Sequence, residues 1–200
     1  MTMANKKCDI LVAGVGGQGT ILASDILAEV GLRSGYDVKK AEVHGMSQRG
    51  GAVESHIRWG PKVYSPQVEA GKADYLLGFE MLEAARWPHF LTRGGTVLIN
   101  RHRISPPSVN LGTASYPSEE EIEGILAARN ARVWWIDGTA IARELGNPTA
   151  AGVVMLGAFS KLMDQPEETW RSIIAEMVPE KFIKLNLQAF GEGRKLTLPA

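Results

Sequence analysis

Short apolar runs that end in glycine alternate with helical periods along this chain. Ile10, Leu11, Val12 and Ala13 form a continuous apolar run followed at once by glycines, the pattern of a strand buried on both faces of a parallel sheet. Ile21, Leu22, Ala23, Ile26, Leu27 and Val30 then recur at helical spacing, with Gly31 and Gly35 as exits and Gly35 suited to the C′ position. A second strand is predicted over 36–43. Val53, Ser55, Ile57 and Trp59 alternate with Glu54, His56 and Arg58, which predicts a half-exposed strand. Gly60 and Pro61 signal a turn, with 62–64 as a short return strand closing a small hairpin or edge extension.

The second half repeats the alternation. Residues 73–79 read as another buried strand, a helix is predicted over 81–90, and Gly94 and Gly95 lead into an apolar strand at 96–99. Residues 101–117, with Pro106, Pro107 and Pro117, are the least regular stretch and predict a surface excursion. Ser118 and Glu121 make a capping box for a helix running to about Arg129. A last strand over 132–136 ends at Asp137, placed to cap a helix over 138–145. Beyond Asn147 and Pro148 the pattern is helical to near Phe190, with Pro166 and Pro179 starting new helices. Strands alternating with helices predict an α/β fold, a three-layer sandwich around a mostly parallel sheet. It has a Rossmann-like first βα unit, a helical C-terminal part and a single domain over 1–200.

Composition narrows the function. At 200 residues and 21.7 kDa the chain can bury a core without metal or disulfide staples. Its 22 Lys plus Arg balance 22 Asp plus Glu, so the basic field of a nucleic-acid binder is missing and no nucleic-acid partner is expected. No apolar segment reaches the roughly 18 residues of a membrane span, and the apolar run behind Lys6 and Lys7 is too short for a secretory signal. The chain therefore reads as cytoplasmic, with no membrane contact. The lone Cys8 cannot form an intrachain disulfide or hold an iron–sulfur cluster, which takes about four ligands, and reads as a small packing residue. His44, His56, His89 and His102 fall at no metal-ligand spacing, so no metal site is expected.

The placement of the glycines says more than their number. Gly14-Val15-Gly16-Gly17-Gln18-Gly19 satisfies G-x-G-x-x-G between a strand and a helix. Residues without Cβ let backbone N–H groups approach a phosphate, the helix N-terminus adds partial positive charge, and Gln18 and Thr20 offer side-chain hydrogen bonds. The plainer alternative is that these glycines only permit strand and helix to pack. Glu42 lies near where a NAD-binding fold places its ribose acid. Yet Lys39 and Lys40 precede it, and His44-Gly45-Met46-Ser47-Gln48-Arg49-Gly50-Gly51 follows where a dinucleotide fold has a plain turn. This second glycine-rich loop is either a solvated turn or a grip for phosphate or a partner carboxylate, offering an imidazole, a hydroxyl, an amide and a guanidinium.

The segments VAGVGGQGT, AEVHGMSQRGGAVESHIRWG, VYSPQVEAGKADYLLGFE and LGNPTAAGVVMLGAF together resemble the gamma-type domain of the 2-oxoacid:ferredoxin oxidoreductases, in particular small subunits of the indolepyruvate type. The resemblance runs from about Ile10 to Phe190. It implies a non-autonomous subunit of an enzyme that oxidatively decarboxylates indolepyruvate or another aryl 2-oxoacid to an acyl-CoA. Thiamine diphosphate, Mg and iron–sulfur clusters are implied for a large partner subunit, ferredoxin as acceptor through the complex, and coenzyme A as co-substrate. None of the cofactors is expected on this chain alone, which lacks cluster cysteines and a G-D-G thiamine motif. What carries over is Gly14, Gly16, Gly17, Gln18 and Gly19 of the first loop and His44, Gly45, Ser47, Gln48, Arg49 and Gly50 of the second. Their implied role is to complete the cleft where coenzyme A approaches. No residue stands out as a catalytic acid or base.

Two readings of other classes stay open: a stand-alone NAD-dependent dehydrogenase, on the glycine loop plus Glu42, and a non-catalytic nucleotide- or CoA-binding module. Glu80, at a strand exit, either faces a ligand crevice or opens a helix as an N-terminal acid. Trp134 and Trp135 place one ring on each sheet face by alternation. Glu119, Glu120, Glu121 and Glu123 read as a solvated helix face. Lys181, Lys184, Arg194 and Lys195 with Phe182, Leu185 and Leu187 make a basic amphipathic segment suited to docking on a partner subunit.

Overall fold

The computed structural model describes residues 7–44 and 51–198. The chain runs β1 (Cys8–Val15), α1 (Thr20–Arg33), β2 (Asp37–His44), β3 (Ala52–Gly60), β4 (Ala73–Gly78), α2 (Met81–Arg86) and β5 (Leu91–Asn100). It continues with α3 (Pro107–Asn110), α4 (Glu119–Ala127), β6 (Arg132–Ile136), α5 (Gly138–Glu144), α6 (Ala151–Ser160), α7 (Glu167–Met177) and α8 (Ile183–Lys195). The strands form one sheet in the order β2-β3-β1-β4-β5-β6. β1, β4, β5 and β6 are mutually parallel, whereas β3 runs antiparallel to both β1 and β2.

Alternation along β1 divides the core. Ile10 and Val12 face a cluster shared with α1, α6, α7 and α8, while Leu11 and Ala13 face a second cluster with Ala84 of α2 and Ile122 and Leu126 of α4. Trp134 joins the first cluster and Trp135 packs against the second, so the three layers and the one-ring-per-face reading both hold. Cys8 is buried in the first cluster. The capping box of α4 forms as expected, Ser118 Oγ accepting from Glu121 N–H at 3.2 Å and Glu121 accepting from Ser118 N–H at 2.7 Å. α1 ends where Gly35 adopts φ 84°, with Gly35 N–H donating to Leu32 and Tyr36 N–H to Gly31, a Schellman closure. Tyr36 then stacks on Trp59 at 5.7 Å.

The expected return strand at 62–64 does not form, and β3 is not half-exposed. β3 lies inside the sheet, and its polar row is covered by the segment over 61–72. Arg58 donates to the carbonyls of Ser65 and Gln67 at 3.2 and 3.1 Å, and Val68 N–H donates to His56 Nδ1 at 3.2 Å. Arg58 also pairs with the buried Asp9 of β1 at 2.9 Å. Arg58 and His56, which read as solvent-facing in sequence, are thus engaged and roofed. Two further expectations shift: the helix after Glu80 stops at Arg86 because Pro88 opens a separate 3-10 turn, and Asp137 makes no side-chain cap for α5. Its carboxylate faces Arg101 at 3.4 Å instead.

Every residue of α6 is buried, as a sequence apolar up to its last residue requires, and Ser160 donates to the Gly157 carbonyl at 2.7 Å. It crosses α8 at glycines: a Cβ on Gly193 would lie 2.0 Å from the Val154 carbonyl oxygen, and one on Gly157 would lie 2.2 Å from that of Phe190. Gly193→Ala is therefore expected to force the two helices apart at a cost of about 1–3 kcal/mol or more, lowering the melting temperature by several degrees. Gly191→Ala, on the same helix with nothing within 4 Å, is expected to be neutral or stabilising. Equal melting temperatures for the two variants would contradict the crossing.

On the same face of β3 as His56 and Arg58, Glu54 is nine-tenths buried, its Oε2 has no hydrogen-bond partner among the described residues, and burial raises its carboxyl above the usual 4.5. A raised folded value means that its contribution to stability is fully present below about 4.5 and is lost as the pH rises through the folded value. Glu54→Gln is expected to melt higher than the parent at neutral pH, the gap closing as the pH falls towards 4.5. A gap independent of pH in thermal melts would refute this.

Candidate functional site

β1 and β4 are parallel neighbours whose continuing chains leave to opposite faces, α1 packing on one and α2 on the other. Such a switch point opens a crevice beyond the carboxyl ends of the strands. A cleft of about 350 Å³ lies there, walled by Gly16, Gly17 and Gln18 after β1, Phe79 after β4, Asn100 and His102 after β5, and Thr139, Arg143 and Thr149 from α5 and beyond.

The first glycine loop forms one wall. Gly14 sits where a Cβ would be 2.6 Å from Thr20 Cγ2, so this glycine serves close packing of strand on helix. Gly17 takes φ 98° at the exposed tip with open space around it, leaving its backbone accessible to a ligand. The Gln18 side chain staples the loop to the neighbouring strand, since Oε1 accepts from Val15 N–H at 2.7 Å and Nε2 donates to the Phe79 carbonyl at 2.9 Å. Thr20 is buried at the start of α1. Gly17 and Thr149 also wall an adjoining pocket of about 190 Å³ whose far side is apolar, with Leu22, Val178, Pro179 and Phe182.

The opposite wall is set by Asn100. Its Nδ2 donates to the Phe79 carbonyl at 3.1 Å and to Thr139 Oγ1 at 2.8 Å, and its Oδ1 accepts from Thr139 N–H at 3.1 Å. Arg143, one turn further along α5, carries no hydrogen bond or ion pair among the described residues and turns an exposed guanidinium to the cleft. His102 is held neutral over more of the pH range by burial, the nearby Arg143 acting in the same direction and Glu80 opposing it. The cleft thus offers a cation, a neutral imidazole, a hydroxyl and a glycine backbone at a helix N-terminus, a set suited to a phosphate-bearing ligand.

Of the second loop, Gly45, Ser47, Gln48, Arg49 and Gly50 lie outside the described residues, and His44 is described only as a backbone pairing with Val53. The loop's return end does reach the first loop, since Gly16 N–H donates to Gly51 O at 3.0 Å. Glu80 is 1% exposed and points away from a ligand role: Oε2 caps α2 through Glu83 N–H at 2.9 Å, and Oε1 accepts from Ile104 N–H at 2.9 Å and from Tyr116. It opens a helix and ties down the 101–117 excursion. Glu42 is engaged by Lys40, which also contacts Asp25 of α1. Among the described residues no three His, Cys, Asp or Glu side chains are grouped to hold a metal ion.

The family model described as pyruvate ferredoxin/flavodoxin oxidoreductase matches residues 9–196. The chain belongs to this oxidoreductase family. It is 40% identical over 193 residues to the indolepyruvate oxidoreductase subunit IorB of Pyrococcus horikoshii, covering 95% of this chain and 96% of that protein. The gamma subunit of the keto/oxoacid ferredoxin oxidoreductase from Geobacter sulfurreducens superposes with a TM-score of 0.69 at 26% identity, covering 94% of this chain and 96% of that one. The 2-oxoglutarate:ferredoxin oxidoreductase of Magnetococcus marinus, solved with 2-oxoglutarate, coenzyme A and succinyl-CoA bound, shares the fold at 22% identity. Its TM-score is 0.75, over 98% of this chain and 32% of that chain.

Within this oxidoreductase-family fold, Asn100, His102, Thr139, Arg143 and Thr149 are cleft residues that motif reading does not single out. The segment LGNPTAAG, with Asn147 Oδ1 accepting from Thr149 N–H at 3.0 Å, is the one sequence signal near them. Gln18→Ala removes the partner of the Val15 N–H and is expected to cost about 1–3 kcal/mol in chemical denaturation. The Val15 amide should exchange faster with solvent, and unchanged protection there would show that the staple is dispensable.

Proposed function

We propose that this chain is the small, non-autonomous subunit of a 2-oxoacid:ferredoxin oxidoreductase, acting on indolepyruvate or another aryl 2-oxoacid in the cytoplasm. Residues 1–200 serve as one gamma-type domain. Similarity to IorB over nearly the whole of both chains carries the reading of the subunit class. The cleft geometry supports its role. Coenzyme A fits the residues present: Arg143 would pair with a phosphate, the Gly16–Gly17 backbone and the α1 N-terminus would receive another, and the apolar pocket across Gly17 would take a less polar part of the ligand. Gly14, Gly19 and Gln18 shape that wall, and His44, Gly45, Ser47, Gln48, Arg49 and Gly50 belong with it as the second set of ligand-binding residues.

Decarboxylation and electron transfer belong to a large partner subunit that supplies thiamine diphosphate, Mg and iron–sulfur clusters, with ferredoxin as acceptor. One cysteine, buried at the start of β1, leaves this chain without a cluster ligand set. What this chain does is bind and orient the acyl acceptor. The N–H groups it presents are fixed before the ligand arrives, which lowers the ordering cost of binding. Of the basic segment, Lys181 and Lys184 are exposed for docking on the partner, whereas Arg194 is held by Glu167 at 2.9 Å and Lys195 by Glu192 at 2.7 Å.

The purified chain is expected to turn over no 2-oxoacid by itself and to gain activity on co-expression with the large subunit, assayed with a 2-oxoacid panel and a dye acceptor. In that complex Arg143→Ala should raise KM for coenzyme A about tenfold or more, the cost of losing one charge-assisted contact, with KM for the 2-oxoacid little changed. Turnover by the chain alone would overturn the subunit reading. An unchanged KM for coenzyme A would overturn the assignment of the cleft.

A further inference from the structure

A second cavity lies at the other end of the sheet, at the amino ends of β1, β4, β5 and β6. The length of β4, six residues, separates this end from the cleft by about 20 Å. It has a volume of about 230 Å³ and is roofed by the connection between α6 and α7. That is room for one small ring compound.

Its walls are aromatic. Tyr36 and Trp59, stacked at 5.7 Å, form one side, and Tyr75, held edge-on against Phe159 at 5.1 Å, forms another. Its charged groups include Lys7, which is ion-paired with Asp9 at 2.8 Å, and two that are not so engaged. Asp164 and Arg132 both line the cavity, both are exposed, and neither carries a hydrogen bond or ion pair among the described residues. Asp74, the other acid there, accepts from Asp9 N–H at 2.8 Å, which leaves Asp164 as the open carboxylate. Gln165, 7% exposed, also lines the cavity, and its Oε1 has no donor among the described residues. A buried acceptor without a donor costs about 1–3 kcal/mol, so the fold retains here a group that a bound N–H would satisfy.

We propose that this cavity binds an aromatic α-amino acid. The ring packs against Tyr36, Trp59 and Tyr75, the ammonium meets Asp164 and Gln165 Oε1, and the carboxylate meets Arg132. The chemistry excludes the neighbouring classes: a 2-oxoacid has no ammonium for Asp164 and Gln165, an amine has no carboxylate for Arg132, and a purely apolar molecule leaves all three unanswered. The site is separate from the glycine-loop cleft and does not depend on what that cleft binds.

The test is calorimetric titration of the full chain with L-phenylalanine, L-tyrosine and L-tryptophan, and with 3-phenylpropionate and phenethylamine as analogues lacking one charge. Saturable binding of at least one of the amino acids at one site per chain is expected, with each analogue at least tenfold weaker than L-phenylalanine. Asp164→Asn and Arg132→Ala should each weaken amino-acid binding at least tenfold, while Arg143→Ala in the distant cleft should leave it unchanged. Both rim side chains are exposed, so thermal melts of the variants should match the parent. Failure of all three amino acids to saturate, equal binding of the analogues, or parent-like binding by both rim variants would overturn the proposal.

Discussion

The carbonyl oxygen of Phe79 is the point on which the functional end of the molecule depends. It stands just past the end of β4, where the ladder stops and a buried acceptor must find new donors. Two side-chain amides supply them, Gln18 from the loop after β1 and Asn100 from the end of β5, while Phe79 N–H donates back to Ala13 at 2.7 Å. Three adjacent strands are thereby held at one height. A carboxylate could not replace either amide, because each donates to Phe79 with its nitrogen while its oxygen accepts a backbone N–H elsewhere. The crevice follows from this arrangement: the glycine loop on one side and Thr139 with α5 on the other are hung from the same atom.

The polar row across β1 and β3 is the second constraint. Asp9, His56 and Glu54 are almost wholly buried and Arg58 is partly so, on a face that an edge hairpin would leave wet. Arg58 answers both Asp9 and the carbonyls of the covering segment, so the ion pair is also the anchor of its own roof. Breaking one partner of such a pair would strand a charge out of water, a larger loss than the pair's net contribution.

What the sequence made legible was local. Gly35 closing α1, Ser118 and Glu121 opening α4, the buried strands, and the tryptophans on opposite faces are each decided by residues within a few positions of one another. The interior place of β3 was not legible, because alternation of polar and apolar residues has the same appearance whether water or a folded-back segment covers the polar face. Half of the cleft was hidden for a similar reason. The glycine loop announces itself by spacing, whereas Asn100 lies far in sequence from Thr139 and Arg143, whose one-turn separation is common to any helix, and only the parallel order of β4, β5 and β6 brings them together. Arg143, in the last turn of a helix, looks in sequence like an ordinary answer to the helix dipole. The reverse also happened with Gln18, whose amide looks like a ligand contact and is a fastening.

The glycine crossing of α6 and α8 bears on how the protein is made. α6 lies in the middle of the helical layer, and the element that covers it is the last helix described. During synthesis the sheet and α1 can assemble early, yet the face of α6 that α8 covers stays bare until α8 has left the ribosome. The growing chain therefore passes through a stage with exposed core, a hazard for aggregation that ends only when the final turns dock. Closure waits for α8, and any partner surface that includes α8 cannot exist before it.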